Sequence, residues 1–350
     1  MHNLEKLKIV ELGNTGVGKT TYMASMYGAL KKEIKGFSLE AIDSSVDREL
    51  CRLEEEIKSG SYPPPTSESY KSYNFYLRHK GERALSFDWY DYRGAALRER
   101  RLQSSDAESL QSDLRQADGI IVFCDCYSLS IRERKCISDI GRITNLLSDS
   151  LLELDRSISL AIMFTKVDLV NTFRPDLLDP LKGLMDCVAL NPKVSGALIP
   201  VSCGRKMINV QLPLLFALQA GVRFKVSSLQ SAIESHNQLA EDYSSKAQDY
   251  RVKSSGLGGW VRDAWKEHVE GSIPYSRLAD YRYSDAQRER ERAQEKLKAY
   301  EPLVGPADAL DRYLKSTPRI QSEKTLKEYT RQLSDIRYGV LGRLLSRLIS

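Results

Sequence analysis

Gly13-Asn14-Thr15-Gly16-Val17-Gly18-Lys19-Thr20 is a complete G-x-x-x-x-G-K-T run, and its setting decides the fold. Before it, Leu7-Lys8-Ile9-Val10-Glu11-Leu12 reads as a buried strand. After it, Met23, Tyr27, Leu30 and Ile34 recur at helical spacing, which predicts a helix from Thr21 to about Ile34. Glycines let such a loop curl so that successive N–H groups face phosphate oxygens, and the helix start adds partial positive charge. Gly13, Asn14, Thr15, Gly16, Val17, Gly18, Lys19, Thr20 and Thr21 are therefore read as phosphate-binding. Lys19 would reach the β- and γ-phosphates, and the Thr20 hydroxyl would coordinate Mg²⁺.

Three later segments bear on which nucleotide is bound. In Ser86-Phe87-Asp88-Trp89-Tyr90-Asp91-Tyr92-Arg93-Gly94 an apolar strand ends in Asp91, with Gly94 at D-x-x-G spacing. A carboxylate there can hold Mg²⁺ through water, and the Gly94 N–H can meet a γ-phosphate. Phe164-Thr165-Lys166-Val167-Asp168 follows the apolar run Ile158–Met163 and carries T-K-x-D. The Asp168 carboxylate would accept two hydrogen bonds from guanine, a pair of donors that adenine lacks. Lys166 would lie along the purine face, and Thr165 would tie this loop to the phosphate loop. In Leu198-Ile199-Pro200-Val201-Ser202-Cys203-Gly204 a strand runs into a turn whose backbone, at Ser202 and Cys203, would approach the guanine O6.

In this order the four motifs, over about residues 5–224, resemble a small GTPase of the Ras-like translation-factor superclass. More narrowly, Gly-Asn-Thr-Gly-Val-Gly-Lys-Thr-Thr-Tyr-Met with a later Tyr-Pro-Pro-Pro-Thr and Trp-Tyr-Asp-Tyr-Arg-Gly resembles the bacterial double-GTPase families of conflict systems. The resemblance implies binding of GTP/GDP with Mg²⁺ and hydrolysis of GTP. The chain has one phosphate loop, so a partner GTPase domain would come from another chain.

The resemblance also implies a Thr that ligates Mg²⁺ and senses the γ-phosphate. Thr66, after Pro63-Pro64-Pro65 and before the strand Tyr73–Leu77, is the candidate; an exposed loop threonine is the alternative. A helix-like insert from about Ser45 to Lys58 lengthens the gap between Lys19 and Thr66. Related enzymes often place a water-orienting Gln after the D-x-x-G glycine; here Ala95 and Ala96 stand there. Slow hydrolysis, or hydrolysis completed by a partner, is expected, with Arg93 as the candidate charge stabiliser in cis.

The expected fold class is α/β: a mostly parallel sheet flanked by helices, with a C-terminal all-α extension. Strands are expected near 7–12, 73–79, 84–90, 119–125, 158–164 and 197–201, and helices near 106–117, 130–152, 176–189 and 208–223. A nucleotide would sit at the carboxyl ends of the strands. The six cysteines include no C-x-x-C and read as reduced core residues, which favours a cytoplasmic protein. The N-terminus runs almost at once into the first strand, so no signal peptide is expected, and no segment has the length of a membrane span. Four scattered histidines argue against a His-based metal site.

A domain boundary is expected at 224, with a GTPase domain over 1–224 and a helical domain over 225–350. Val226, Leu229, Ile233, His236, Ala240, Tyr243, Ala247 and Tyr250 keep an alternating 3,4 spacing, and a similar stripe runs from Ala279 to Tyr300. These predict a long antiparallel hairpin over about 225–301, followed by an amphipathic helix over about 321–349. Such a domain would pair with a protein partner, as a homo- or hetero-dimer, or form a self-contained bundle packed on the GTPase domain. Trp260 and Trp265, beside three glycines at the expected hairpin tip, would meet a membrane, a partner, or their own hairpin. From Pro274 onward 16 basic residues are interspersed with 11 acidic ones, which argues against a nucleic-acid groove. Two classes of function follow: a switch that reports nucleotide state through its helices, or an assembly GTPase resembling dynamin-like proteins on membranes. A nucleotide-binding scaffold with negligible turnover is a third.

Overall fold

The computed structural model describes residues 6–63, 70–92, 105–170, 175–204 and 206–320. Its chain divides into two compact units. One is Lys225–Val304; the other joins the chain up to Phe224 with the segment that begins at Gly305.

The sheet unit starts with β1 (Lys6–Leu12), the phosphate loop and α1 (Lys19–Leu30). β2 (Phe37–Ala41), α2 (Ser44–Ser59), β3 (Tyr70–His79) and β4 (Glu82–Tyr92) follow. Next come α3 (Ser105–Gln116), β5 (Gly119–Asp125), α4 (Cys126–Ser130), α5 (Arg134–Leu152) and β6 (Ile158–Thr165). A 3₁₀ turn at Val167–Leu169 and another at Pro175–Leu181 precede α6 (Lys182–Leu190) and β7 (Val194–Pro200). The strand order is β2-β3-β4-β1-β5-β6-β7. β4, β1, β5, β6 and β7 pair in parallel, and β2 and β3 add an antiparallel edge. Every residue of β5 and β6 is buried, as expected of parallel strands covered on both faces.

Several boundaries differ from those read in the sequence. α1 stops at Leu30, and Ile34 instead bridges to Phe37. Glu33, Lys35 and Gly36 all have positive φ, so the chain turns there and enters β2, a strand the 3,4 stripe had concealed. α1 is buried nearly all round because α2 covers it: Leu53 and Ile57 pack with Ala24. The helix expected at 130–152 is α5, which starts at Arg134; Ile131–Glu133, where Arg132 has φ 54, separate it from the short α4. The expected helix at 208–223 has no end of its own. It is the start of α7 (Leu212–Ser254), which contributes to both units.

Residues 305–320 belong with the sheet unit. Ile320 N–H donates to the Gly196 carbonyl at 2.9 Å, and Arg223 pairs with Asp308 at 2.8 Å. The helical unit holds the remainder of α7, α8 (Gly256–His268) and most of α9 (Tyr275–Leu314). Its two long helices meet through His236 and Glu289 at 2.6 Å, with Ala240, Ala247, Ala279, Ala286 and Ala293 buried. Small residues let helix backbones approach closely. The segment expected as a hairpin tip is therefore helix α8, and the helix expected over 321–349 lies outside the described residues.

Gly119 opens β5 against α7, where an added Cβ would sit 2.1 Å from the Ala217 carbonyl oxygen. Gly141, exposed in α5, has nothing within 4 Å of such an atom. Gly119→Ala is predicted to cost roughly 2 kcal/mol or more by overpacking, and Gly141→Ala to add about 0.5–1 kcal/mol of helix propensity. Urea unfolding of the two variants checks the pair; equal effects would contradict the packing described.

Candidate nucleotide-binding site

The phosphate loop takes the shape its glycines permit. Gly16 has φ 88 and Gly18 φ 97, left-handed values that strain any side chain with a Cβ. Gly13 is required for space: a Cβ there would lie 2.8 Å from that of Phe123. Gly18 caps α1, so the free N–H groups of the first turn face the loop. Behind it Tyr22 packs on Phe123 edge-on, with ring centroids 5.5 Å apart, and on Trp89 at 6.2 Å.

Lys19 projects from the first residue of α1 into a ring of oxygens. Its Nζ donates to the carbonyls of Gly13 at 3.1 Å and Tyr92 at 2.7 Å, and lies 3.2 Å from Asp91 Oδ1. Both Lys19 and Asp91 are largely buried. Asp91 lies at the end of β4, one residue before Tyr92 closes the strand.

The sequence reading missed Glu11. In the parallel register of β1 and β4 it stands opposite Asp91, fully buried. The Trp89 indole N–H donates to its Oε2 at 2.8 Å, while its buried Oε1 has no hydrogen-bond partner among the described residues. Burial first, and the Asp91 charge second, push the Glu11 carboxyl well above the usual carboxylate range, with Lys19 and Trp89 acting the other way. A carboxylate between Val10 and Leu12, in the apolar second half of β1, was the available signal.

The base-side loop is tied to the phosphate loop from below. Thr165 Oγ1 donates to the Val17 carbonyl at 2.8 Å, as expected of it. Lys166, in a left-handed conformation, donates from Nζ to the Gly16 carbonyl at 2.9 Å and to Asp125 Oδ2 at 2.5 Å. Asp125 also caps α4, accepting from the N–H groups of Tyr127 and Ser128. A cavity of about 230 Å³ opens here, lined by Asn14, Thr15, Gly16, Asp125 and Lys166 together with residues of α5.

Asp168 is exposed in the turn that follows. Burial pushes the Cys203 thiol up to about 12, with a hydrogen bond to Ser25 opposing the rise and the Asp168 charge adding to it. Ser202 is buried and bridges to Ile208 through paired backbone hydrogen bonds. Gly204 has φ 133 and leaves room for the Tyr62 hydroxyl, 2.8 Å from where its Cβ would be. Tyr62 opens the Tyr-Pro-Pro-Pro-Thr run and lies four positions before Thr66.

Thr66, Arg93 and Gly94 lie outside the described residues. Thr20 and Asp91 offer hard oxygen donors of the type Mg²⁺ prefers, which fits that ion. Among the described residues no three His, Cys, Asp or Glu side chains group as a metal site of their own.

The sequence model of the Double-GTPase 2 family matches residues 9–186. The chain belongs to that family. The match takes in the phosphate loop, Asp91 and the Thr165–Asp168 loop. Among solved structures, a mutant of S. thermophilus NFeoB bound to GDP is 12% identical over 89% of this chain and 99% of that one, with a TM-score of 0.32. A second NFeoB mutant, bound to mGDP, is 12% identical over 87% and 100%, with a TM-score of 0.31. SsGBP in complex with GDP is 14% identical over 58% and 45%, with a TM-score of 0.29. No curated protein matches the sequence.

A proton held by Glu11 in the folded state and lost from it in the unfolded chain makes stability fall as pH rises above the ordinary value of 4.5. With nucleotide removed, Glu11→Gln is predicted to flatten that fall, which amounts to at most about 1.4 kcal/mol per pH unit. Denaturant unfolding at several pH values above 4.5 checks this. A fall as steep in the variant as in the parent would contradict the burial of Glu11.

Proposed function

We propose that the chain binds a guanine nucleotide with Mg²⁺ and hydrolyses GTP to GDP and phosphate, as a switch whose turnover is slow without a partner. The single observation that carries this reading is the bracing of the T-K-x-D loop on the phosphate loop: Thr165 holds the Val17 carbonyl and Lys166 the Gly16 carbonyl. A base held by Asp168 is thereby kept at fixed distance from phosphates held by residues 13–20. Membership of a GTPase family supports the same activity.

In the proposed reaction the Lys19 ammonium exchanges the carbonyls of Gly13 and Tyr92 for phosphate oxygens. The donors are already preorganised, which is how such sites stabilise charge on a transferring phosphoryl group. Thr20 and Asp91, with Thr66 as a third candidate, would hold Mg²⁺, which when bound neutralises charge on the phosphates. Water attacks the γ-phosphorus, the bond to the β–γ bridging oxygen breaks, and that oxygen keeps the electron pair on GDP. Gly94 would donate its N–H to the γ-phosphate, and Arg93 would offset charge on the leaving oxygens. Ala95, standing where a water-orienting Gln is often found, supports slow intrinsic turnover.

The switch reading rests on chain connectivity. Nine residues after Cys203 the chain enters α7, and α7 runs on into the helical unit. Loops carrying Thr66 and Asp91–Gly94 would be ordered by the γ-phosphate and released on its loss. The helical unit would report the change to a protein partner.

Asp168→Asn replaces the acceptor of guanine's two donors with a mixed donor and acceptor. It is predicted to weaken GTP binding about a hundredfold and to raise affinity for XTP. Competition of GTP and XTP against a fluorescent GDP analogue measures both. Unchanged GTP affinity would sink the base-site assignment.

A further inference from the structure

Tyr62 is constrained from both sides along the chain. Before it, α2 ends in a closed cap. Gly60 has φ 100, its N–H donates to the Ile57 carbonyl at 3.1 Å, and the Ser61 N–H donates to the Glu56 carbonyl at 2.9 Å. After it stands Pro63, whose ring disfavours the helical region for the residue before it. α2 is itself fastened to α1. Leu53 and Ile57 pack with Ala24, and Lys31 donates to Asp47 at 2.6 Å. Glu54 lies so close on Gly28 that a Cβ there would sit 2.3 Å from its Cδ.

From this mount the Tyr62 side chain reaches the turn at 202–204. Its hydroxyl sits 2.8 Å from where a Cβ on Gly204 would lie, and its Cζ 3.9 Å from the same point. The contact is made by the tip of the side chain. The residue is 59% exposed, so hydrophobic burial contributes little to it. Within the turn, Ser202 is held by its paired backbone bonds with Ile208. Gly204, at φ 133, has no side chain with which to hold itself. Setting a glycine in one conformation costs entropy, and a contact that sets it before the ligand arrives lowers the cost of binding.

We propose that Tyr62 is a positioning residue of the guanine subsite, its hydroxyl holding the 202–204 turn where the backbone of Ser202 and Cys203 meets the guanine O6. The inference rests on the guanine-nucleotide reading above and deepens it. α1 begins at the phosphate-binding Lys19, so one packed path runs from that lysine across α2 to Tyr62 and the base-side turn.

The test compares GDP with the diphosphate of 2-aminopurine riboside, each in competition with a fluorescent GDP analogue. The second nucleotide keeps the exocyclic amino group of guanine but lacks O6 and the N1 proton. The parent is expected to prefer GDP. Tyr62→Ala is expected to weaken GDP binding about tenfold, roughly the worth of one hydrogen bond, and to leave the 2-aminopurine nucleotide unaffected. Tyr62→Phe, which keeps the ring and loses the contacting atom, is expected to fall between the two. Retained binding of the 2-aminopurine nucleotide is the control for a folded phosphate loop. Equal GDP affinity of parent and Tyr62→Ala, or an equal loss for both nucleotides, would overturn the proposal and leave the guanine reading standing. A parent that binds ADP as tightly as GDP would defeat that reading, and the proposal with it.

Discussion

The sheet unit is organised around one buried ammonium group. Lys19 brings together the start of the phosphate loop at Gly13, the end of β4 at Tyr92 and the carboxylate of Asp91. A buried cation must be matched by oxygens or it destabilises the fold, and charge-assisted bonds of this kind are among the stronger polar interactions a protein makes. The same requirement gives the site its proposed chemistry. A triphosphate satisfies Lys19 better than two carbonyls do, so ligand binding and the arrangement of β1 against β4 are linked. Glu11 belongs to the same arrangement: raised towards its neutral form by burial, it stands beside Asp91 without adding a full second charge to the pair.

The second half of the site is held by geometry more than by charge. Gly13 brings the loop against Phe123, and Thr165 and Lys166 fasten the base-side turn to it. Asp125 serves both Lys166 and the start of α4. The two loops thus share a frame of fully buried strands.

Most of this was legible in the sequence because the chemistry dictates it locally. G-x-x-x-x-G-K-T requires its glycines, and the strands of a parallel sheet read as apolar runs. β2 was hidden because Ile34 continued the helical spacing of α1 by coincidence, while the positive-φ conformations of Glu33, Lys35 and Gly36 carry little compositional signal. Glu11 was passed over because its importance depends on the partner strand's register, which no linear pattern encodes. α8 was read as a hairpin tip because three glycines outweigh a short amphipathic period; one of them, Gly259, is there for close packing and not for a turn. The membership of the segment from Gly305 in the sheet unit follows from contacts such as Ile320 with Gly196, which are remote in sequence.

Equilibrium titration of the purified chain with fluorescent GDP, GTP and ATP analogues in the presence of Mg²⁺ tests the central claim most directly. The account predicts binding of both guanine nucleotides, with ATP weaker by about a hundredfold or more. Equal or tighter binding of ATP would contradict it, and the loop at Thr165–Asp168 would then have to be read as bracing alone.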